Sequence, residues 1–112
     1  MLGGSDVRVF FHLASCDMRK QMDGLSTLVR EAMSRDPQAG DLYLFRNRRR
    51  DLIKILFYDH GGYCLLSKRL CKGRFQIEVE EIDGQPHALL SKRDLADLLS
   101  SARIMKKVDP RS

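Results

Sequence analysis

Two apolar runs of β-forming residues lie close together in this sequence and set most of what the chain can fold into. They are Asp41–Phe45 (DLYLF) and Leu52–Tyr58 (LIKILFY), and alternate residues of the second point to opposite faces. The segment Asp59–Gly62 (DHGG) follows directly and is a strong turn signal, because glycine reaches positive φ without steric cost. Tyr63–Leu66 then returns as a third strand, so the centre of the chain predicts an antiparallel meander.

Further strands are predicted on both sides of the meander. Val7–Ala14 is rich in β-forming residues and alternates, and Phe75–Val79 follows a turn at Cys71–Arg74. Asp83-Gly84 predicts a short hairpin that leads into His87–Leu90.

The spacing of apolar residues predicts a helix between the first two strands. Its face is formed by residues at i, i+3, i+4, i+7 and i+8, namely Leu25, Leu28, Val29, Ala32 and Met33. Asp23 is the expected N-cap, because its carboxylate can accept hydrogen bonds from the first free amides. The helix should end before Asp36-Pro37, since the residue before proline is disfavoured in the α region, and Pro37–Gly40 should form a turn.

A second helix is predicted near the C-terminus. Ser91 is its expected N-cap, with Asp94 completing a capping box. Its apolar face is formed by Leu95, Leu98, Leu99 and Ala102, and residues 106–112 are expected to fray. The order β-α-β-β-β-β-α over 112 residues predicts a single α+β domain with a mostly antiparallel sheet of four to five strands and two packed helices.

Basic charge is concentrated in the middle of the chain. The net charge is +5, yet the segment 46–74 alone holds nine basic residues and only two acids, which leaves −2 for the remainder. A concentrated positive field attracts polyanions or an acidic protein surface. The nine basic residues are Arg46, Arg48, Arg49, Arg50, Lys54, Lys68, Arg69, Lys72 and Arg74.

These basic residues form two groups in the predicted sheet. Arg46–Arg50 falls at a hairpin tip with Lys54 projecting from the following strand, and the residues from Lys68 to Arg74 fall at the end of the next strand and in its turn. We expect the two groups to approach opposite ends of one sheet, with Tyr43, Tyr58 and Tyr63 either stacking on bases or packing. The alternative is a solvated tip that carries charge for solubility or prevents edge-to-edge strand pairing.

Other kinds of chemistry have weaker support in the sequence. Three histidines and three cysteines show no zinc-ligand spacing, and neither a nucleophile elbow nor a phosphate-binding glycine loop is present, although His12, Ser15, Cys16 and Asp17 include nucleophile and base types. The odd number of cysteines without CxxC predicts free thiols in a reducing cytoplasm. We expect no enzyme activity, no metal or other cofactor, no signal peptide and no membrane span, since no apolar run approaches about 20 residues.

Several motifs in one order resemble the small accessory protein, often called TnpB, of the bacterial insertion-sequence family numbered sixty-six. The resemblance covers Val7–Phe75, with a looser match over the C-terminal helix. The motifs are Asp17–Lys20 (DMRK), Asp23–Leu25 (DGL), Leu42–Asp51 (LYLFRNRRRD), Leu52–Leu56 (LIKIL), Lys68–Leu70 (KRL) and Lys72–Phe75 (KGRF).

The resemblance implies a role in DNA transposition beside a separate, larger transposase that carries the catalytic carboxylates. It marks Asp17, Arg19, Lys20 and Asp23 as motif residues, although the sequence alone makes them loop and helix-start residues. Contact with element DNA, contact with the transposase, or both remain open. The alternative to a DNA-binding accessory factor is a module that docks on the transposase without touching DNA.

Overall fold

A computed structural model describes residues 7–104, which form one five-stranded sheet with a helix on each face. The main sheet contains β1 (Val9–His12), β2 (Leu42–Arg46), β3 (Leu52–Asp59), β4 (Gly62–Arg69) and β6 (His87–Leu90), in the order β4-β3-β2-β1-β6. The helices are α1 (Met22–Glu31) and α2 (Lys92–Ser101). A separate two-stranded sheet joins β5 (Gln76–Ile77) to β7 (Arg103–Ile104). In the main sheet only β1 and β2 pair in parallel, so the predicted α+β class is confirmed.

The hairpin of β3 and β4 is the longest pairing in the sheet. Eight residue pairs run from Leu52–Arg69 to Asp59–Gly62, and the loop consists of His60 and Gly61 alone. Both loop residues have positive φ, +47° and +78°, as a type I′ turn requires. The predicted turn is therefore confirmed, and β4 extends three residues beyond the predicted Leu66.

Helices cover both faces of the sheet. On one face, α2 contributes Leu95 and Leu98 to a core that also contains Val9, Phe11, Leu44, Ile53, Ile55 and Phe75. On the other face, α1 contributes Leu25, Val29 and Met33 to a core with Phe10, Tyr43, Phe45 and Leu56. All four residues of β1 are buried, because this strand lies inside the sheet with a neighbour on each side.

Two predicted pairings are wrong. Phe75–Val79 was expected as a further strand of the main sheet, but only Gln76–Ile77 is extended, and it pairs in parallel with β7. Asp83-Gly84 does form a turn, with the Gln85 amide donating to the Ile82 carbonyl at 3.0 Å, but it closes no hairpin. Instead β6 pairs antiparallel with β1, on the side of β1 that does not face β2.

The two helices begin differently. The capping box of α2 is confirmed, because the Asp94 amide donates to the Ser91 hydroxyl at 2.9 Å and the Ser91 amide donates to the Asp94 carboxylate at 3.0 Å. The predicted Asp23 cap is wrong, since the N-cap of α1 is Gln21 and Asp23 lies inside the first turn. As expected, α1 ends before Asp36-Pro37. The predicted fraying of 106–112 lies outside the described residues.

Candidate nucleic-acid interface

The connection between β2 and β3 is an ordered turn built around the side chain of Asn47. Its amide nitrogen donates to the Asp51 carboxylate at 2.6 Å, and its amide oxygen accepts from the Leu52 amide at 3.0 Å. The Arg50 amide donates to the Asn47 carbonyl at 3.1 Å, and Arg50 itself has a φ of +65° in the left-handed region. The exposed side chains of the turn therefore project from a fixed backbone.

The segment after β4 is tied to this turn and to the last residue of β2 by three hydrogen bonds. The Leu70 amide donates to the Asp51 carbonyl at 2.8 Å, and the Phe75 amide donates to the Arg50 carbonyl at 2.6 Å. The Arg46 guanidinium donates to the Phe75 carbonyl at 3.0 Å. These bonds place segment 70–75 directly against the turn at 47–51.

The two basic groups therefore lie at the same end of the sheet, and the expectation of opposite ends is wrong. The two-residue β3–β4 loop sets Leu52 opposite Arg69, so the start of β3 and the end of β4 are neighbours. The turn at 47–51, which precedes β3, therefore lies next to segment 70–75, which follows β4.

Between the two turns lies an open cleft of about 480 Å³. We call it the basic cleft; Arg48, Arg49, Arg50, Asp51, Leu70, Cys71, Gly73 and Arg74 line it. Lys72 is exposed in the same turn as Gly73, whose φ of +82° explains the glycine at that position. Besides Arg69, which pairs with Asp51, five exposed cations thus surround or adjoin one depression: Arg48, Arg49, Arg50, Lys72 and Arg74.

Two of the predicted cations, Arg46 and Arg69, contact residues in or next to the cleft. Arg46 is half-buried, with its guanidinium 5.3 Å from the centre of the Phe11 ring, and burial together with the nearby Arg50 lowers its pKa. Arg69 is exposed and pairs with Asp51 at 3.3 Å. The Asn47 hydrogen bond, assisted by the Arg69 charge, holds the pKa of Asp51 below its ordinary value, so this carboxylate stays ionised at neutral pH.

The two remaining predicted cations serve the interior of the fold. Lys54 is only 6% exposed, and its ammonium donates to the carbonyls of Met18 at 2.8 Å and Lys20 at 3.0 Å. Lys68 is half-buried and donates to the carbonyl of Leu99 near the end of α2. The structure thus places Lys54 away from the surface where the sequence suggested it would project.

The described part of the chain contains neither a candidate metal site nor a helix that could span a membrane. Within residues 7–104, no three His, Cys, Asp or Glu side chains come together in a way that could hold a metal ion. The helices described there are too short and too polar to cross a bilayer. The three cysteines are free thiols, as predicted, with Cys16 buried and Cys71 exposed.

Comparison with known protein families identifies the relatives of this chain. The family described as IS66 Orf2 like protein matches residues 7–108. The chain belongs to this family. The resemblance noted from the motifs is thereby confirmed.

Two proteins of Sinorhizobium fredii are similar to this IS66 Orf2-like chain. Uncharacterized protein y4hO is 39% identical over 72 residues, which cover 64% of the chain and 63% of that protein. Uncharacterized protein y4jC is 36% identical over 76 residues, which cover 67% of the chain and 65% of that protein. The matched parts thus span a little under two thirds of the length of these relatives. No solved structure matches the chain.

The motif Asp17–Lys20 of this IS66 Orf2-like protein forms a tight loop after β1. The Arg19 guanidinium makes a two-pronged contact with the Asp17 carboxylate, with Nη2 2.7 Å from Oδ2 and Nε 3.1 Å from Oδ1. These hydrogen bonds hold the pKa of Asp17 well below its usual range. The Cys16 amide donates to the Arg46 carbonyl at 3.0 Å, so the loop lies at the same end of the sheet as the basic cleft.

The second half of the motif connects this loop to α1. The side chain of Lys20 passes so close to Gly24 that a Cβ there would lie 3.2 Å from the Lys20 Cβ. The Asp23 carbonyl accepts hydrogen bonds from the hydroxyls of Ser26 and Thr27, each at 2.9 Å. The motif residues are thus part of a structural joint, and a binding role for Asp17, Arg19, Lys20 or Asp23 stays a prediction.

Proposed function

We propose that this chain is a non-enzymatic accessory factor of insertion-sequence transposition that binds DNA phosphates in the basic cleft. The observation that carries the proposal is the meeting of two turns, far apart in sequence, around one depression rimmed by exposed cations. The arginine guanidinium presents paired N–H donors that match the oxygens of a phosphate. Membership of the IS66 Orf2-like family supplies the context of transposition.

The order of the turn favours a binding surface over a tip that carries charge only for solubility. Solubility requires exposed charge but no fixed geometry, whereas here Asn47 makes two side-chain hydrogen bonds and Arg50 adopts a left-handed backbone. The turn also lies at the end of the strands and not along β4 or β6, the two edge strands of the sheet. Its arginines are therefore poorly placed to prevent edge-to-edge pairing.

A second candidate function is docking on the larger transposase of the same element without DNA contact. The observation that favours it is the Asp17–Lys20 loop, which is held rigidly yet leaves the Arg19 side chain 92% exposed at the same end of the sheet. In this alternative the cations of the cleft and the loop would pair with carboxylates of the transposase.

One pair of variants separates the two functions. Arg48→Ala/Arg49→Ala removes two cations of the cleft, and Arg30→Ala/Arg93→Ala removes the same charge from exposed positions on α1 and α2. Binding to duplex DNA from the element ends is followed by fluorescence anisotropy, and capture of the transposase by pull-down. We expect the cleft variant to lose DNA affinity and the control to keep most of it, with transposase capture unchanged in both.

The reverse pattern would favour the second candidate. If the unaltered protein binds its transposase but ignores DNA at low salt, the phosphate-binding function is wrong. A DNA affinity that barely changes between low and moderate salt would also contradict it, because phosphate contacts release counterions.

A further inference from the structure

We infer that the basic cleft selects duplex DNA over single strands, because it offers phosphate-binding cations but no aromatic side chain on which a base can stack. This inference rests on the proposed function and specifies the form of nucleic acid that the cleft takes. Proteins that hold single strands combine basic grooves with aromatic side chains, and each stacked base contributes about 1–3 kcal/mol.

The aromatic residues of this chain all lie elsewhere. Tyr43 is completely buried, and its hydroxyl donates to the Asp36 carbonyl at 3.0 Å. Tyr58 and Tyr63 pack edge to face, with ring centres 5.2 Å apart, beside the His60-Gly61 loop. That loop is at the opposite end of the β3–β4 hairpin from the cleft, so these rings do not line it.

None of the phenylalanines lines the cleft. Phe10, Phe11 and Phe45 are buried, and the partly buried Phe57 lies opposite Cys64, towards the far end of the hairpin. Phe75 directly follows the cleft residue Arg74, but its side chain is completely buried in the core beneath α2. The sequence has no tryptophan, and the segments outside residues 7–104 contain no aromatic residue. The lining of the cleft consists of arginines, one acid and small or aliphatic residues.

The shape and rigidity of the cleft also favour a duplex. It is a depression flanked by arginines, so it can receive a projecting ridge of phosphates more readily than a base edge. Both of its turns are fixed by hydrogen bonds. A rigid set of cations fits the regular phosphates of a duplex directly, whereas a single strand must first be ordered. Duplex DNA also has the higher density of phosphate charge.

The number of exposed cations limits how steeply the DNA affinity can depend on salt concentration. If all five contact phosphates of a duplex, the slope of log K against log salt reaches about −4.5. Duplex affinity then falls about 500-fold between about 50 and 200 mM salt. A single strand held by the same five cations would lose only about 100-fold.

The test compares a short duplex with each of its separated strands by fluorescence anisotropy across that range of salt. We expect the duplex to bind at least about fivefold tighter at the lowest salt. Because the chain has three tyrosines and no tryptophan, its intrinsic fluorescence reports on stacking directly, and we expect single strands to leave it unquenched. The cleft variant Arg48→Ala/Arg49→Ala should lose most of the preference, while Arg30→Ala/Arg93→Ala keeps it.

The outcomes distinguish this inference from the proposed function. Binding of single strands as tightly as the duplex, or tyrosine quenching by them, would overturn the duplex selectivity while leaving phosphate binding intact. Failure of the unaltered protein to bind any DNA would overturn both. Circular dichroism of each variant confirms that a loss of binding is not a loss of fold.

Discussion

At the scale of single residues, Lys54 is a cation that the fold uses internally. Its ammonium holds two carbonyls of the loop that precedes α1, those of Met18 and Lys20. We expect Lys54→Met to lower the free energy of unfolding by about 1–3 kcal/mol, because both carbonyls lose a charged donor at a part-buried site. Urea unfolding measures this loss. Lys72→Met, at an exposed position, should stay within about 0.5 kcal/mol of the unaltered protein.

The burial of Lys54 was indicated by its strand neighbours, although its charge suggested otherwise. Alternation along β3 puts Lys54 on the same face as Leu52 and Leu56, and Ile53 and Ile55 occupy the opposite face. A strand that is apolar on both faces is buried on both, so a lysine within it needs internal acceptors. What the sequence does not supply is their location, because Met18 and Lys20 lie more than thirty residues earlier.

At the scale of elements, the two helix starts make a matched pair for mutation. Ser91→Ala removes the hydroxyl of a complete capping box and should destabilise the protein by about 1 kcal/mol. Asp23→Ala removes only an acid from the first turn of α1 and should cost about 0.5 kcal/mol or less. The hydroxyls of Ser26 and Thr27 donate to its backbone carbonyl, which the substitution leaves in place. Thermal or urea unfolding compares them. Equal losses would mean that Asp23 caps the helix after all.

Strand prediction succeeded where apolar residues were continuous. It failed where the extent of a strand depends on a partner that is distant in sequence. The bounds of β2 and β3 differ from the prediction by one residue at each altered end. By contrast β4 continues through Lys68 and Arg69, because the first residues of β3 provide partners for them. The short β5 pairs with β7, a partner that follows α2 and that no local pattern reveals.

For the whole molecule, acid sensitivity should come in part from His87. Burial lowers the pKa of this imidazole, and the nearby charges of Arg35 and His12 lower it further. Since the pKa is higher in the unfolded chain, the unfolded chain binds more protons between the two values. Stability is therefore complete above about pH 6.5 and falls as the pH decreases towards the folded value.

Urea unfolding at a series of pH values checks this expectation. The free energy of unfolding should decrease from about pH 7.5 to about pH 5.5. In His87→Gln the decrease should be smaller, because the substituted side chain does not titrate. Identical slopes for the unaltered protein and His87→Gln would contradict the assignment.

The sequence predicts only part of the arrangement of the candidate site. The arginine run, its position at a hairpin tip and the second basic group can all be read from residues 46–74. Their meeting at one end of the sheet follows from the pairing of Leu52 with Arg69, which the long β4 establishes. Asn47 gave the one local sign of an ordered turn, because asparagine side chains commonly bond to backbone a few residues away.

The position of β1 inside the sheet also determines when the protein can finish folding. Val9 pairs with Leu42 on one side and with Leu90 on the other, so β1 needs a partner that is made much later than itself. During synthesis, β2, β3 and β4 can form their antiparallel pairs before β6 is available to pair with β1. Long separations of this kind slow folding. A ribosome that stops before Leu90 therefore releases a sheet in which one edge of the largely apolar β1 is open.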